Sequence, residues 1–176
     1  MPDRICWGRA RRATCEALPA RAPDGRPDVG PGLFTDGMTS TADHLATIDA
    51  LRARDFPAQR RGPGFHVADL RVSEDFWDAD LTRVEEVLEE FEAELGVLVQ
   101  VLTLRWGDPR VLDLADVLER SAMGEPVPPP LDDLCGYVPE LYVWRVDGRW
   151  VGLGVGQGDR ELPFQLLVAI GESGVG

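Results

Sequence analysis

The chain has 176 residues, enough for one domain with its own core, and its 18 Arg, absence of Lys and 31 acidic residues give a net charge of −13. This balance argues against nucleic-acid binding, which needs clustered cations. It favours a partner with a basic surface, although solubility is the simpler interpretation of the same charge. No apolar run is long enough to span a membrane and the N terminus lacks the pattern of a secretory signal, so we expect a cytoplasmic protein.

Several kinds of chemistry are disfavoured by composition. Without lysine there is no P-loop lysine, Schiff base or Ser-Lys dyad. The cysteines Cys6, Cys15 and Cys135 form no C-x-x-C pair, so neither a disulfide framework nor a zinc site is expected. The glycine run 152–158 joins strand to strand, whereas a dinucleotide fingerprint joins a strand to a helix. We therefore expect a protein that holds no cofactor or metal, and we favour a non-enzymatic role over an enzymatic one.

Residues 1–37 differ from the rest of the chain. They contain six Arg, five Pro and five Gly with little apolar periodicity, and their net charge is +1, against −14 for residues 38–176. Such a composition is typical of disorder. We predict a dispensable extension followed by a single domain over residues 38–176. A basic arm for an acidic partner is the functional alternative, although such arms usually carry longer runs of like charge.

The domain is predicted to begin with a helix and a strand. The helix runs from Thr41 to Arg54, and Ser40 with Asp43 forms a capping box in which Asp takes the place of Glu. The strand covers Phe65 to Val72, where apolar and polar residues alternate. His66, in this strand, is expected to be a hydrogen-bonded structural residue.

A second helix is predicted from Phe76 to Leu95, with apolar residues at spacings of three and four and Gly96 as its C-cap. Its outer surface is predicted to be acidic from Glu85 to Glu94, with like charges four residues apart and Arg83 as the only basic residue among them. A solvated face is the simpler interpretation. The functional one is a docking face for a basic partner, formed by Glu85, Glu86, Glu89, Glu90 and Glu92.

The middle of the chain adds a strand and a helix. Val97–Trp106 is apolar nearly throughout and is predicted to be a buried central strand. Asp108-Pro109 provides the N-cap and first position of a third helix ending near Gly124. An extended linker over 125–130 leads to a short helical turn within Leu131–Tyr137.

The last part of the chain predicts a three-stranded antiparallel meander. Leu141–Val146 and Arg149–Val155 are joined by Asp147-Gly148, the sequence of a type I′ turn, which places Trp144 opposite Val151. The third strand covers 162–170. Because Pro163 has no N–H to donate, this strand is predicted to lie at an edge. The register requires an odd-length second loop or a bulge in the glycine run, so the face shared by the last strand's apolar residues stays open.

One face of the meander carries glycines in alternation beneath a tryptophan. Gly152 and Gly154 would let another backbone or a flat group approach closely, and Trp150 beside Arg145 is a plausible anchor pair for a partner. The alternative is that a helix of the same protein covers these glycines.

Together these elements predict an α+β fold: a mostly antiparallel sheet of about five strands, ending in the meander, with three helices mainly on one face. In size, charge and element order alone, the chain is similar to bacterial secretion chaperones and toxin-immunity proteins. The favoured hypothesis is a non-enzymatic module that binds a basic protein. The alternative is a small-molecule-binding protein or enzyme with a pocket near Trp150, Arg145 and His66. A homodimer through an exposed edge strand is compatible with either.

Overall fold

The structure is a computed structural model, and it describes residues 40–56 and 64–172. The predicted extension over 1–37 lies outside these residues. The described chain contains four helices and five strands in the following order: α1 (Thr41–Ala53), β1 (Phe65–Val72), α2 (Leu81–Trp106), β2 (Arg110–Asp113), α3 (Leu114–Ala122), α4 (Leu131–Leu134), β3 (Glu140–Val146), β4 (Arg149–Gln157) and β5 (Phe164–Gly171).

The strands form one antiparallel sheet in the order β1-β5-β4-β3-β2. The predicted α+β fold with a five-stranded antiparallel sheet and a C-terminal meander is therefore confirmed. The predicted capping box of α1 is also present, since Asp43 N donates to Ser40 Oγ at 3.2 Å and Ser40 N donates back to Asp43 Oδ2 at 3.0 Å.

The β3–β4 hairpin has the predicted register. Trp144 lies opposite Val151, and the pair Val146–Arg149 closes the turn. Asp147 and Gly148 have φ of 51° and 78°, the left-handed values that a type I′ turn requires at both central positions.

The prediction that the third meander strand is an edge is wrong. β5 pairs with β4 on one side and β1 on the other, and Pro163 precedes the strand, so its missing N–H costs no ladder hydrogen bond. The pairing of β4 with β5 is continuous and begins at Gln157 opposite Phe164. Loop 158–163 therefore settles the register without an odd length or a bulge. In the described sheet the edge strands are β1 and β2. The homodimer hypothesis requires an exposed edge strand and therefore concerns these two strands.

Helix α2 is longer than predicted and is shifted toward the C terminus. It begins after Asp80, whose carboxylate accepts a hydrogen bond from Arg83 N at 2.8 Å and so caps the helix. Gly96 lies inside the helix and is not its C-cap.

The prediction of a buried central strand over Val97–Trp106 is wrong, because this segment is the second half of α2. Leu98 and Leu102 are fully buried, whereas Val97 and Leu104 are 45% and 89% exposed. Burial at a spacing of four continues the helical period of the first half of α2. The high apolar content therefore concealed an amphipathic helix.

The predicted third helix begins later than expected. The residues after Asp108-Pro109 form strand β2, which pairs with β3 and thereby satisfies its backbone on one side. Helix α3 follows with Asp113 as N-cap, because that carboxylate accepts a hydrogen bond from Ala115 N at 2.8 Å. The short helical turn predicted near residue 131 is confirmed as α4.

Helices pack on both faces of the described sheet, two on each, whereas three helices mainly on one face were predicted. The two long helices, α1 and α2, share one face with a core that includes Phe91, Leu98, Trp144, Leu153, Leu166 and Val168. The short helices α3 and α4 pack on the other face with Leu114, Leu134, Leu141, Trp150 and Leu167. The apolar residues Phe164, Leu166 and Val168 of β5 thus share the face of the long helices.

Candidate functional site

The acidic surface of α2 divides into a paired part and an unpaired part. All five predicted docking residues, Glu85, Glu86, Glu89, Glu90 and Glu92, are exposed. Two of them are held in ion pairs, Glu90 with Arg71 at 3.0 Å and Glu86 with Arg83 at 3.7 Å. The remaining three form no ion pair with any described residue. Their spacing of four and three places them on one side of the helix, and we call Glu85, Glu89 and Glu92 the acidic flank.

A buried ion network ties α2 to α1 and β1. His44 is 1% exposed and its Nε2 donates to Glu94 Oε1 at 2.7 Å. Arg71 Nη1 donates to the other oxygen of Glu94 at 2.8 Å, and its guanidinium lies 4.4 Å from the Phe91 ring centroid. Glu94 is only 17% exposed, so its predicted place on the outer surface is wrong. The network joins three elements and holds the helix against the sheet.

A groove opens on the side of α2 that lies away from the ion network of Glu94. At this place the helix does not cover β3 and the end of β4. Its volume is about 630 Å³, within the range of about 300–1,000 Å³ typical of ligand sites. Its walls are largely apolar, with carboxylates, phenols and one amide among them. The lining residues are Leu88, Glu92, Leu95, Gly96, Val99, Tyr137, Pro139, Glu140, Tyr142, Val155, Gly156, Gln157 and Phe164. Glu92 belongs both to this groove and to the acidic flank.

The polar residues of the groove create a negative environment. Tyr142 Oη donates a hydrogen bond to Glu140 Oε1 at 3.1 Å. Burial raises the pKa of Tyr142, and the negative charges of Glu140 and Glu92 add to the shift. Burial also raises the pKa of Tyr137, with smaller contributions from Asp69 and Asp133. Because no basic side chain lines the groove, its chemistry suits a cation that also has apolar surface.

Gly96 is a further feature of the groove wall. It lies in the interior of α2, where glycine is less favourable than alanine by about 0.8–1.0 kcal/mol. A Cβ atom at this position would meet nothing within 4 Å. Packing within the described chain therefore does not explain this glycine, and the open space beside it belongs to the groove.

The glycine-lined face of the meander is covered by the chain itself. Trp150 is 2% exposed, and Gly152 and Gly154 are also buried. A Cβ at Gly154 would stand 2.7 Å from the carbonyl oxygen of Glu140, and Val138 lies nearly as close. The glycines allow the segment that follows α4 to approach β4. The chain itself therefore covers them, but through this non-helical segment and not through the helix that the alternative interpretation expected. These three residues offer no surface to a partner in this structure.

The three residues around which a pocket was predicted, Trp150, Arg145 and His66, do not converge on one face of the sheet. Trp150 packs with the short-helix core, whereas His66 stacks on Phe56 at 5.1 Å between ring centroids and donates to the carbonyl oxygen of Asp55 at 3.2 Å. Residue 150 pairs with 171, and 66 pairs with 170, so the alternation along β5 places them on opposite faces. Arg145 is exposed on the Trp150 face. His66 is thus the structural residue that its sequence context indicates.

The remaining reactive groups are not assembled into a centre. Burial raises the pKa of the Cys135 thiol, and the negative charge of Asp132 raises it further, so this cysteine is not an activated nucleophile. Within residues 40–56 and 64–172, no three His, Cys, Asp or Glu side chains are placed to hold a metal ion. No helix of those residues has the length and apolar character needed to cross a membrane.

Comparisons of the chain with known protein families, curated proteins and solved structures find no match. Function is therefore inferred from the acidic flank and the groove themselves.

Proposed function

We propose that the protein is a non-enzymatic interaction module that binds a partner protein with a basic surface through the acidic flank of α2. The observation that carries this proposal is the contrast on α2 between glutamates that the chain pairs internally and glutamates that it leaves to solvent. Arg71 pairs with Glu90 and Glu94, whereas Arg83 pairs with Glu74 at 2.8 Å and lies 3.7 Å from Glu86. Glu85, Glu89 and Glu92, the acidic flank, form no ion pair with any described residue.

Electrostatics supports a basic partner for this flank. Like charges four residues apart on a helix destabilise it by about 0.2–0.5 kcal/mol per pair, and Glu85 and Glu89 have this spacing. A partner cation placed between them relieves the repulsion and gains two attractions. With a net charge of −13, the whole protein also attracts a basic partner over distance, in a manner that salt screens.

The groove supports binding over catalysis. Its polar groups are carboxylates, phenols and one amide. The lining lacks His, Cys and Ser, so it offers no nucleophile of the Ser-His or Cys-His kind.

The proposal is tested by recovering the tagged full-length chain from the cells in which it naturally occurs, at low and at high salt, followed by native mass spectrometry. We expect one stoichiometric basic protein that is present at low salt and lost at high salt, because the Debye length falls from about 8 Å at physiological ionic strength to about 3 Å at 1 M salt.

A double variant, Glu85→Gln with Glu89→Gln, should lose this companion at low salt. The matched control is Glu119→Gln with Glu125→Gln, which removes two exposed carboxylates, one in α3 and one just after it. Because α3 packs on the other face of the sheet, this control variant should keep the companion protein. Recovery of the companion with the flank variant, or the absence of any salt-sensitive companion, contradicts the proposal.

A small-molecule ligand is the second candidate, and the 630 Å³ volume of the groove favours it. In this case the site is the groove between α2 and β3, in place of the surroundings of Trp150. A retained small molecule in the native mass spectrum, without a protein companion, would support this candidate.

A further inference from the structure

We infer that the groove between α2 and β3 is the anchor site for one segment of the basic partner, in which an arginine side chain is flanked by apolar residues. This inference rests on the proposed function and specifies where and how the partner binds. It commits to a peptide segment of a protein as the occupant.

The negative charge of the groove favours a cation. Glu92 stands on the helix side of the groove and Glu140 on the sheet side, and both raise the pKa of Tyr142. The two carboxylates therefore lie near one phenol, and no basic side chain in the lining competes for them. A single cation that enters between helix and sheet meets both.

The aromatic lining selects arginine among cations. A guanidinium group is planar, stacks on aromatic rings and donates hydrogen bonds in a fork that matches a carboxylate. The groove supplies phenol rings from Tyr137 and Tyr142 beside the carboxylate of Glu140. An ammonium group would also be attracted to the ring faces, but it cannot stack on them or form the two-pronged hydrogen bond to a carboxylate.

The apolar walls and Gly96 indicate neighbours on both sides of the arginine. Leu88, Leu95, Val99 and Val155 line the groove, and apolar side chains next to the arginine would bury this surface. The open space over Gly96 is adjacent to these apolar walls. A partner segment that approaches the helix closely at this point explains the glycine, which internal packing does not require.

The experiment is a calorimetric titration of the full chain with three synthetic peptides. The probe is acetyl-Leu-Arg-Leu-Arg-Leu-amide; one comparison peptide has citrulline, which is neutral and nearly isosteric, in place of both arginines, and the other has serine in place of every leucine. We expect one probe molecule per chain, and each comparison peptide to bind about tenfold more weakly, because loss of either the charge or the apolar contact removes one of the two recognised features.

Site variants locate the binding. Gly96→Leu should fill the groove and weaken binding of the probe by about tenfold or more. It should not lower the melting temperature, since leucine is a better helix former than glycine. Glu140→Gln should weaken the probe by several-fold. Glu119→Gln on α3 should leave the affinity unchanged. A citrulline peptide that binds as well as the probe, a Gly96→Leu variant with wild-type affinity, or the absence of probe binding would overturn the inference.

The failure of this inference can be distinguished from failure of the proposed function. If the natural partner is lost with Glu85→Gln and Glu89→Gln but retained with Gly96→Leu, the acidic flank alone binds it and the groove does not anchor it. If neither set of variants affects the partner, the proposed function itself is contradicted.

Discussion

At the scale of single residues, Gly96 and Gly154 show the same residue type used for opposite reasons. Gly96 faces open space, whereas Gly154 lies under the backbone of the segment that follows α4. Gly96→Ala should raise the free energy of unfolding by about 0.8–1.0 kcal/mol, because alanine loses less backbone entropy in a helix and its methyl group meets nothing. Urea denaturation measures this change.

Gly154→Ala is the matched comparison and should be destabilising. Its Cβ would stand 2.7 Å from the carbonyl oxygen of Glu140, a distance that requires the backbone to move. A stabilising effect at Gly154, or a destabilising one at Gly96, would contradict the packing described here.

The two tyrosines provide a pH prediction for the groove. They are the only tyrosines in the chain, and both have a raised pKa, chiefly through burial. The folded protein therefore keeps its phenol protons above the ordinary tyrosine pKa of about 10, where the unfolded chain releases them. The folded state binds more protons in this window, so the free energy of unfolding should fall as pH rises from about 10 through the raised values.

Near-ultraviolet absorbance of tyrosinate measures this titration directly. Both phenols should titrate at higher pH in the folded protein than in urea, and Glu140→Gln should bring one of them back toward the ordinary value by removing a nearby negative charge. Coincident curves with and without urea would show that the groove does not shelter these side chains.

At the scale of secondary-structure elements, α2 is the helix on which the site depends. Its buried side is centred on Phe91, which is fully buried and packs 6.1 Å from Phe164 between ring centroids. Phe91→Ala should lower the free energy of unfolding by about 3–5 kcal/mol, because it leaves a cavity between helix and sheet.

Leu104→Ala is the control for this prediction. Leu104 belongs to the same helix but is 89% exposed, so its truncation should change stability by no more than about 0.5 kcal/mol. Denaturant melts of both variants by circular dichroism make the comparison. Equal effects at the two positions would contradict the assignment of Val97–Trp106 to the helix.

Elements with local signals could be predicted from the sequence. The capping box at Ser40 and the Asp147-Gly148 turn each depend on residues within a few positions of one another, and both are present. The extent of α2 was also encoded locally, since Leu98 and Leu102 continue its apolar period. That signal was overridden by the high apolar content of residues 97–106 and by the interpretation of Gly96 as a C-cap.

Strand order could not be predicted in the same way. β5 becomes an interior strand only because β1, distant in sequence, pairs with it. Likewise, the burial of Trp150 depends on short helices that return to the sheet from elsewhere in the chain. Such contacts are set by tertiary packing, which leaves no periodic pattern in the sequence.

At the scale of the whole molecule, the distribution of negative charge could be predicted from the sequence only in part. The acidic surface of α2 could be predicted from its glutamates, but the division into paired and unpaired residues required the position of Arg71 on β1. The groove required the offset between α2 and β3, which places Glu92 and Glu140 in the lining of one groove. The candidate site is therefore a product of the fold, and only its acidic half could be predicted.

The most direct test of the binding account is an amide NMR titration of the isotope-labelled full chain with acetyl-Leu-Arg-Leu-Arg-Leu-amide. We predict saturable shifts at Glu92, Gly96 and Tyr142, with the residues of α3 unaffected, and weaker binding as salt increases. Shifts spread evenly over the acidic surface, shifts centred on α3 or β1, or no shifts at millimolar peptide would contradict a binding site formed by the acidic flank and the groove.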